Sequence, residues 1–235
     1  MSILASAVLK RAIGILQDTT TIRWPLNELV RWLNDAQREV ITYRPDALNT
    51  TATMTLVAGT RQDLDNASLS PAPAKLIEIT RNMAATSAKG SVTQVPRKIM
   101  DDQTPNWHVL PSKVDVQHYM YDPRDPKTFY VYPPATTLAQ LEVMYAAYPT
   151  DVTEPADGAG LSDVTASIVL PDIYGNAILD YILYRAYTKD SEYAGNLQRA
   201  QAHYAAFANT MGVEIKSTVA VAPQMRPGMQ ATAAA

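Results

Sequence analysis

Groups able to do acid–base or metal chemistry are few in this chain and widely spaced. The three histidines, His108, His118 and His203, share no segment, and none stands in the HExxH or Cys2His2 spacing that puts two ligands on one metal. Isolated histidines of this kind are by default surface or structural groups. The chain has no cysteine, which removes thiolate ligands, disulfides and the cysteine–histidine route to a nucleophile. No GxSxG elbow presents a serine either. Carboxylates remain: Asp101 with Asp102, Asp122 with Asp125, and Glu154 could each be half of a glycosidase pair, although a solvated turn residue is the default. Asp157-Gly158-Ala159-Gly160, with Glu154 and Asp163 nearby, superficially matches a calcium loop but lacks the alternating oxygen ligands and closing glutamate of an EF-hand. With no Gly-Lys-Ser/Thr behind it, the same stretch is no phosphate cradle, and it reads as a flexible acidic loop. No catalytic, cofactor-binding or metal-binding residue is assigned, and no cofactor is expected.

A second compositional signal concerns recognition. Thirteen tyrosines stand against two phenylalanines, and tyrosine suits surfaces that must be apolar yet tolerate water. Tyr119, Tyr121, Tyr130 and Tyr132 alternate on strand-like segments, so one face of them could serve a neighbouring subunit. The formal net charge of −3 argues against a broad basic surface for DNA or RNA. The hydrophobic content of 47% and charged content of 18% are those of a packed globular protein.

These groups must be positioned by helices at the two ends of the chain and strands between them. Leu4, Val8, Ala12 and Ile15 fall at helical spacing in residues 2–17. Lys10 and Arg11 interrupt the apolar run, so the segment reads as an amphipathic helix and not as a signal peptide. Pro25 opens a second helix running to about Tyr43, with Leu26, Leu29, Val30, Leu33, Ala36 and Val40 on one stripe, and Pro45 stops it. Strands are expected at 51–57, 76–80, 114–121, 128–132 and 140–148, the third and fourth joined across Asp122-Pro-Arg-Asp-Pro126, with a loop over 150–163. A third helix starts near Asp172 and is apolar almost all round. Its apolar run contains Asp180 and Arg185 and is too short for a membrane span. A fourth, from about Ser191, carries Tyr193, Leu197, Ala200, Tyr204, Phe207 and Met211 as a heptad seam, with Gly212 as its C-cap.

The stretch Trp24-Pro-Leu-Asn-Glu28-Leu-Val-Arg-Trp32-Leu-Asn-Asp-Ala-Gln37-Arg-Glu-Val40, closed by Tyr43-Arg-Pro-Asp-Ala47, resembles the first helical hairpin of head-to-tail adaptor (connector) proteins of tailed bacteriophages, particularly the short-tailed podovirus type. Leu170-Pro-Asp-Ile-Tyr174-Gly-Asn-Ala177, running into Tyr181, Tyr184-Arg-Ala-Tyr187 and Lys189-Asp190, is a second match. The order of helices, strands, helices and tail extends the likeness over most of the chain. The resemblance implies a structural virion protein of the neck, assembled in the host cytoplasm, that forms a dodecameric ring below the portal, extends the DNA channel and docks the tail or nozzle. Double-stranded DNA would pass through without specific binding. It also implies a C-terminal extension that embraces the portal protein; here Ile215, Val219, Val221, Met225, Arg226 and Met229 are the portal-binding candidates.

The resulting expectation is an α+β protein: an antiparallel four-helix bundle from residues 1–48 and 164–212, a β-rich insertion over 49–163 between helices two and three, and an extended C-terminal arm over 213–235. The function expected is that of an adaptor without catalysis or a membrane partner. The rival readings are a tail-associated peptidoglycan hydrolase, which would use carboxylates such as Glu154 and Asp157, and a stopper protein of the same neck.

Overall fold

In the computed structural model the described residues are 3–66, 69–86, 89–193 and 195–221. Helix α1 spans Ala5–Leu16 and buries Ala5, Val8, Leu9, Ala12 and Leu16. Its start is held by a short antiparallel pairing: the Ala5 amide donates to the Ala166 carbonyl, and the Ile168 amide to the Ile3 carbonyl, both at 3.0 Å. Gln17 ends the helix in the left-handed region, φ 56°, a conformation that residues with a Cβ seldom adopt. Asp18 then organises the turn. Its carboxylate accepts from the amides of Ile22 (3.3 Å), Arg23 (2.8 Å) and Trp24 (2.9 Å). Burial pushes this carboxyl up, and the three amides, Trp24 first, outweigh burial and hold it below its ordinary value. Helix α2, Leu26–Tyr43, follows Pro25 and buries the apolar stripe that its spacing marks out.

Seven strands and a further helix fill the middle of the chain: β1 (Asn49–Thr55), β2 (Gly59–Asp63), β3 (Pro73–Asn82), β4 (Thr93–Gln94), α3 (Arg97–Gln103), β5 (His118–Tyr121), β6 (Thr128–Ala135) and β7 (Gln140–Ala147). They form two sheets, one ordered β1-β7-β3 and one ordered β2-β6-β5-β4. β7 is antiparallel to both its neighbours, while the β4–β5 pairing is parallel. Met54, Leu76, Ile79, Phe129, Val131, Leu141 and Val143 form a shared core. β2 escapes a hydropathy reading because its inward residues are Thr60 and Gln62. Gln62 closes the β1–β2 turn, donating to the Val57 carbonyl at 2.8 Å and accepting from the Val57 amide at 2.9 Å.

A 3-10 turn at Asp172–Tyr174 leads into α4, Gly175–Lys189, and the chain returns along α5, Asn196–Val221. The fold remains α+β, but the expected four-helix bundle is overturned: among the described residues there are five α-helices and two sheets of seven strands, and the helices do not dominate. α5, α2 and α1 each pack against α4, whereas α1 and α2 touch each other little. The reason lies in α4, whose buried residues fall all round its axis and include Ala177, Ile178, Leu179, Tyr181, Ile182 and Leu183; it demands cover on every side. The expected extended arm is also corrected, because α5 continues through Gly212 to Val221. Residues 222–235 lie outside the described residues.

Two buried asparagines fasten irregular segments to this frame. Asn34 on α2 donates to the Val152 carbonyl and accepts from the Val152 amide, both at 2.9 Å. Asn82 on β3 does the same with Val116, both bonds at 2.8 Å. Each amide side chain thus acts as one rung of a β-ladder where no strand is present. Asn34→Ala and Asn82→Ala, which each strand a buried backbone donor and acceptor, should lower unfolding free energy by about 2–4 kcal/mol in a urea titration. A loss under about 0.5 kcal/mol would contradict the clamp. Asp18→Ala should cost about 1–2 kcal/mol near neutral pH, discounted for solvent screening. Because the folded-state value of Asp18 is depressed, its contribution is present above the ordinary value of 3.8 and is lost as pH falls through the folded value. The difference between variant and parent should therefore shrink on acidification; a constant difference would contradict the assignment.

Candidate interaction surfaces

The Asp18 turn and the α4–α5 turn meet at one end of the helical layer. Arg23 is the hub. Its guanidinium pairs with Asp190 and lies 4.3 Å from the ring centre of Tyr193 and 5.1 Å from that of Trp24. Trp24 donates its Nε1–H to the Ala186 carbonyl at 3.2 Å, Lys189 pairs with Glu28, and Asn196 donates to Asp190 at 2.9 Å. Two clefts open beside this turn. One of about 720 Å³ runs between α1, the start of α2 and residues 156–161, with Lys10, Ile13, Ile22 and Leu161 in its wall. The other, about 520 Å³, lies between Ile15, Tyr187, Tyr193 and Arg199. Sequence reasoning missed this cluster, because nothing in local periodicity tells that residue 23 meets residue 190. The only signal was the Trp24-Pro25 start of the hairpin motif.

Of the candidate carboxylates, Glu154, Asp157, Asp122 and Asp101 are committed elsewhere. Glu154 pairs with Arg31 at 2.8 Å, Asp157 accepts from Asn27 at 2.8 Å, and Asp151 pairs with Arg38. The acidic loop is thus pinned along α2. Asp122 is bound by Arg124 within its own turn, and that hydrogen bond, ahead of the Arg124 amide, pulls it down to about 2; such a group is ionised at any pH where a general acid would have to donate. Asp101 accepts from the Trp107 Nε1–H at 2.9 Å and lies 3.5 Å from Arg97. Among the described residues no group of three or more His, Asp or Glu side chains could hold a metal ion. The histidines are dispersed as well. His108 bonds Thr60 and stacks on Trp107, His118 bonds Thr93, and His203 bonds Asp180 across the α4–α5 contact at 2.9 Å.

The four strand tyrosines divide between two faces of one sheet. Tyr119 is 4% exposed and packs in the core shared by the sheets, with Tyr121 partly buried against it; burial pushes the phenols of both up. Tyr130 and Tyr132 lie on the other face, partly buried against Met100, Trp107 and Met120. Arg97 sits 5.0 Å over the Tyr130 ring. Of the C-terminal candidates, Ile215, Val219 and Val221 lie on the last turns of α5, while Met225, Arg226 and Met229 lie outside the described residues.

The architecture is therefore one of paired charges and surface clefts. No described helix is long and apolar enough to cross a membrane. No curated protein matches the chain. A family model described as SU10 adaptor protein matches residues 4–230, nearly the whole length, and the chain belongs to that family of structural adaptor proteins of bacteriophage virions.

Proposed function

We propose that the chain is the head-to-tail adaptor of a short-tailed phage, a ring-forming neck protein that joins the portal to the tail or nozzle and continues the channel through which double-stranded DNA passes. The observation that carries this reading is the mismatch in length between the paired helices α4 and α5. α4 has 15 residues and α5 has 26. At ~1.5 Å per residue the difference is roughly 16 Å. The two helices join at Asp190–Asn196, where Asn196 is bonded to Asp190, so the surplus falls at the C-terminal end of α5. There it projects past the start of α4 as a helical lever carrying Ile215, Val219 and Val221. Residues 222–235, with Met225, Arg226 and Met229, share the portal contact in this reading.

In this reading the sheets meet the tail. Tyr119 serves the core, whereas Tyr121, Tyr130 and Tyr132 are only partly buried and meet a neighbour in this reading. The net charge of −3 suits a channel that releases DNA, since a strongly basic lumen would hold the duplex by counterion release.

The test is sedimentation with purified portal rings. A version ending at Gly212 keeps Ala200, Phe207 and Met211, the α5 residues buried against the helical layer, and should keep its thermal midpoint within about 3 °C. Its portal binding should fall at least about tenfold, a loss of roughly 1.4 kcal/mol or more. Undiminished binding by the shortened chain would refute a portal contact at this end.

A further inference from the structure

The described residues divide into two groups with separate cores. Leu9, Leu29, Leu33, Ile178 and Phe207 belong to the helical core, which also takes in Val152 from the segment before α4. Leu76, Phe129, Leu141, Val143 and Tyr145 belong to the core of the sheets. Leu48 packs against both. The polar ties divide in the same way: Arg38–Asp151, Arg31–Glu154 and Asn34–Val152 join residues of the helical side, whereas Arg81–Glu142, Lys127–Asp65 and Asn82–Val116 join residues of the sheets. Among the described residues the 3-10 turn Pro45–Leu48 is the one element with substantial packing on both a helix, α2, and a strand, β7.

The chain passes between the groups twice, at Leu48–Asn49 and over residues 148–151. The two crossings lie side by side, since Asn49 pairs with Ala146 near the end of β7. Each is held on its helical side. Arg44, 6% exposed, donates two hydrogen bonds to the Asp46 carboxylate, at 3.0 and 2.7 Å, and so fixes the turn before the first crossing. Asn34 and Arg38 hold Val152 and Asp151 just after the second. On the sheet side the Tyr148 amide donates to the Ala72 carbonyl at 2.8 Å, which leaves Pro149 and Thr150 to span the second crossing. Beside the crossings a cleft of about 300 Å³ separates Ile41 and Thr42 of α2 from Ala74, Lys75 and Tyr148 of the sheet side. There the two groups face each other across open space and not through a packed interface.

We propose that this joint is a hinge. The described residues of 49–148 swing as a body against those of 3–48 and 151–221, about the line through the two crossings, with Leu48 as the pivot and the cleft as the space that opens and closes. Groups that share a large apolar interface are held rigidly, whereas groups joined by adjacent crossings and a small contact rotate about them. In a structural adaptor such a joint keeps one group seated on its neighbour while the other follows a second, with no change inside either core.

The absence of cysteine from the chain allows pairs of spin labels to be placed on the purified full-length protein at exposed positions. Ala7→Cys with Thr188→Cys lies within the helical group, and Thr53→Cys with Gln94→Cys within the sheet group. Ala7→Cys with Thr53→Cys, and Thr188→Cys with Gln94→Cys, span the joint. Pulsed electron–electron distance measurements should give narrow distributions for the two within-group pairs and broader or divided ones for both spanning pairs. Spanning distributions no broader than the within-group ones would overturn the hinge. Ala74→Trp, which sets a ring in the cleft, should move the spanning distances and leave the within-group distances where they are. Unmoved spanning distances in that variant would overturn the part assigned to the cleft.

Discussion

The cover required by α4 organises the helical half of this protein. Its buried positions surround the helix, and an apolar cylinder of that kind is stable only when enclosed, since each fully buried Leu or Ile is worth about 1.5–3 kcal/mol relative to exposure. α1, α2 and α5 supply the cover, each from its own direction. The segment before α4 joins them: Val152, Val164, Ile168 and Leu170 belong to the same core. This is why the terminal helices must come together across the intervening sheets, and why α1 is anchored by bonds to Ala166 and Ile168 and hardly at all to α2. α5 is the exceptional member. Phe207 seats it with an edge-to-face contact on Tyr181 at 5.4 Å, and the helix runs on to Val221.

Where regular structure ends, side-chain carboxylates and amides take over the backbone's hydrogen bonds. Asp18 collects three amides, Asn34 and Asn82 each complete both backbone groups of a distant valine, and Gln62 closes a turn. Buried backbone groups left without partners are costly, so these four residues fix turns and long connections that lack a ladder of their own. The consequence is that the Asp18 turn is held from within, while Arg23 beside it ties α1–α2 to α4–α5 through Asp190. The surfaces that result are shaped by structure with little chemistry, consistent with membership of a structural adaptor family.

Much of this was legible in the residues, and the rest failed for identifiable reasons. The stripe of α2 and the stop at Pro45 show because a period of 3.6 and a proline are local signals. The β5–β6 connection shows because Asp122-Pro-Arg-Asp-Pro126 is dense in turn formers. β2 stays hidden because it buries Thr60 and Gln62, and α3 because only Met100 of its residues is buried. Gly212 misleads as a C-cap, since glycine in a helix costs only about 1 kcal/mol and a helix can run through it. The bundle was overread. Periodicity reports how much of a helix wants cover, which for α4 is nearly everything, but not how many helices provide it or where the sheets stand. The acidic loop over 150–163 was read as flexible, whereas its charges are matched along α2 by Arg31, Arg38 and Asn27, pairings more than a hundred residues apart in sequence. The recognisable motifs, beginning at Trp24 and at Leu170, proved to be the parts that form α2 and α4, which pack on each other in the helical layer.

The most direct test of the account is a single-particle reconstruction of the head–tail junction of the phage that carries this protein. The account predicts copies of the chain in a ring immediately below the portal, with the C-terminal ends of α5 in contact with it. A chain located away from the junction, or a ring in which the C-terminal ends of α5 do not reach the portal, would contradict it.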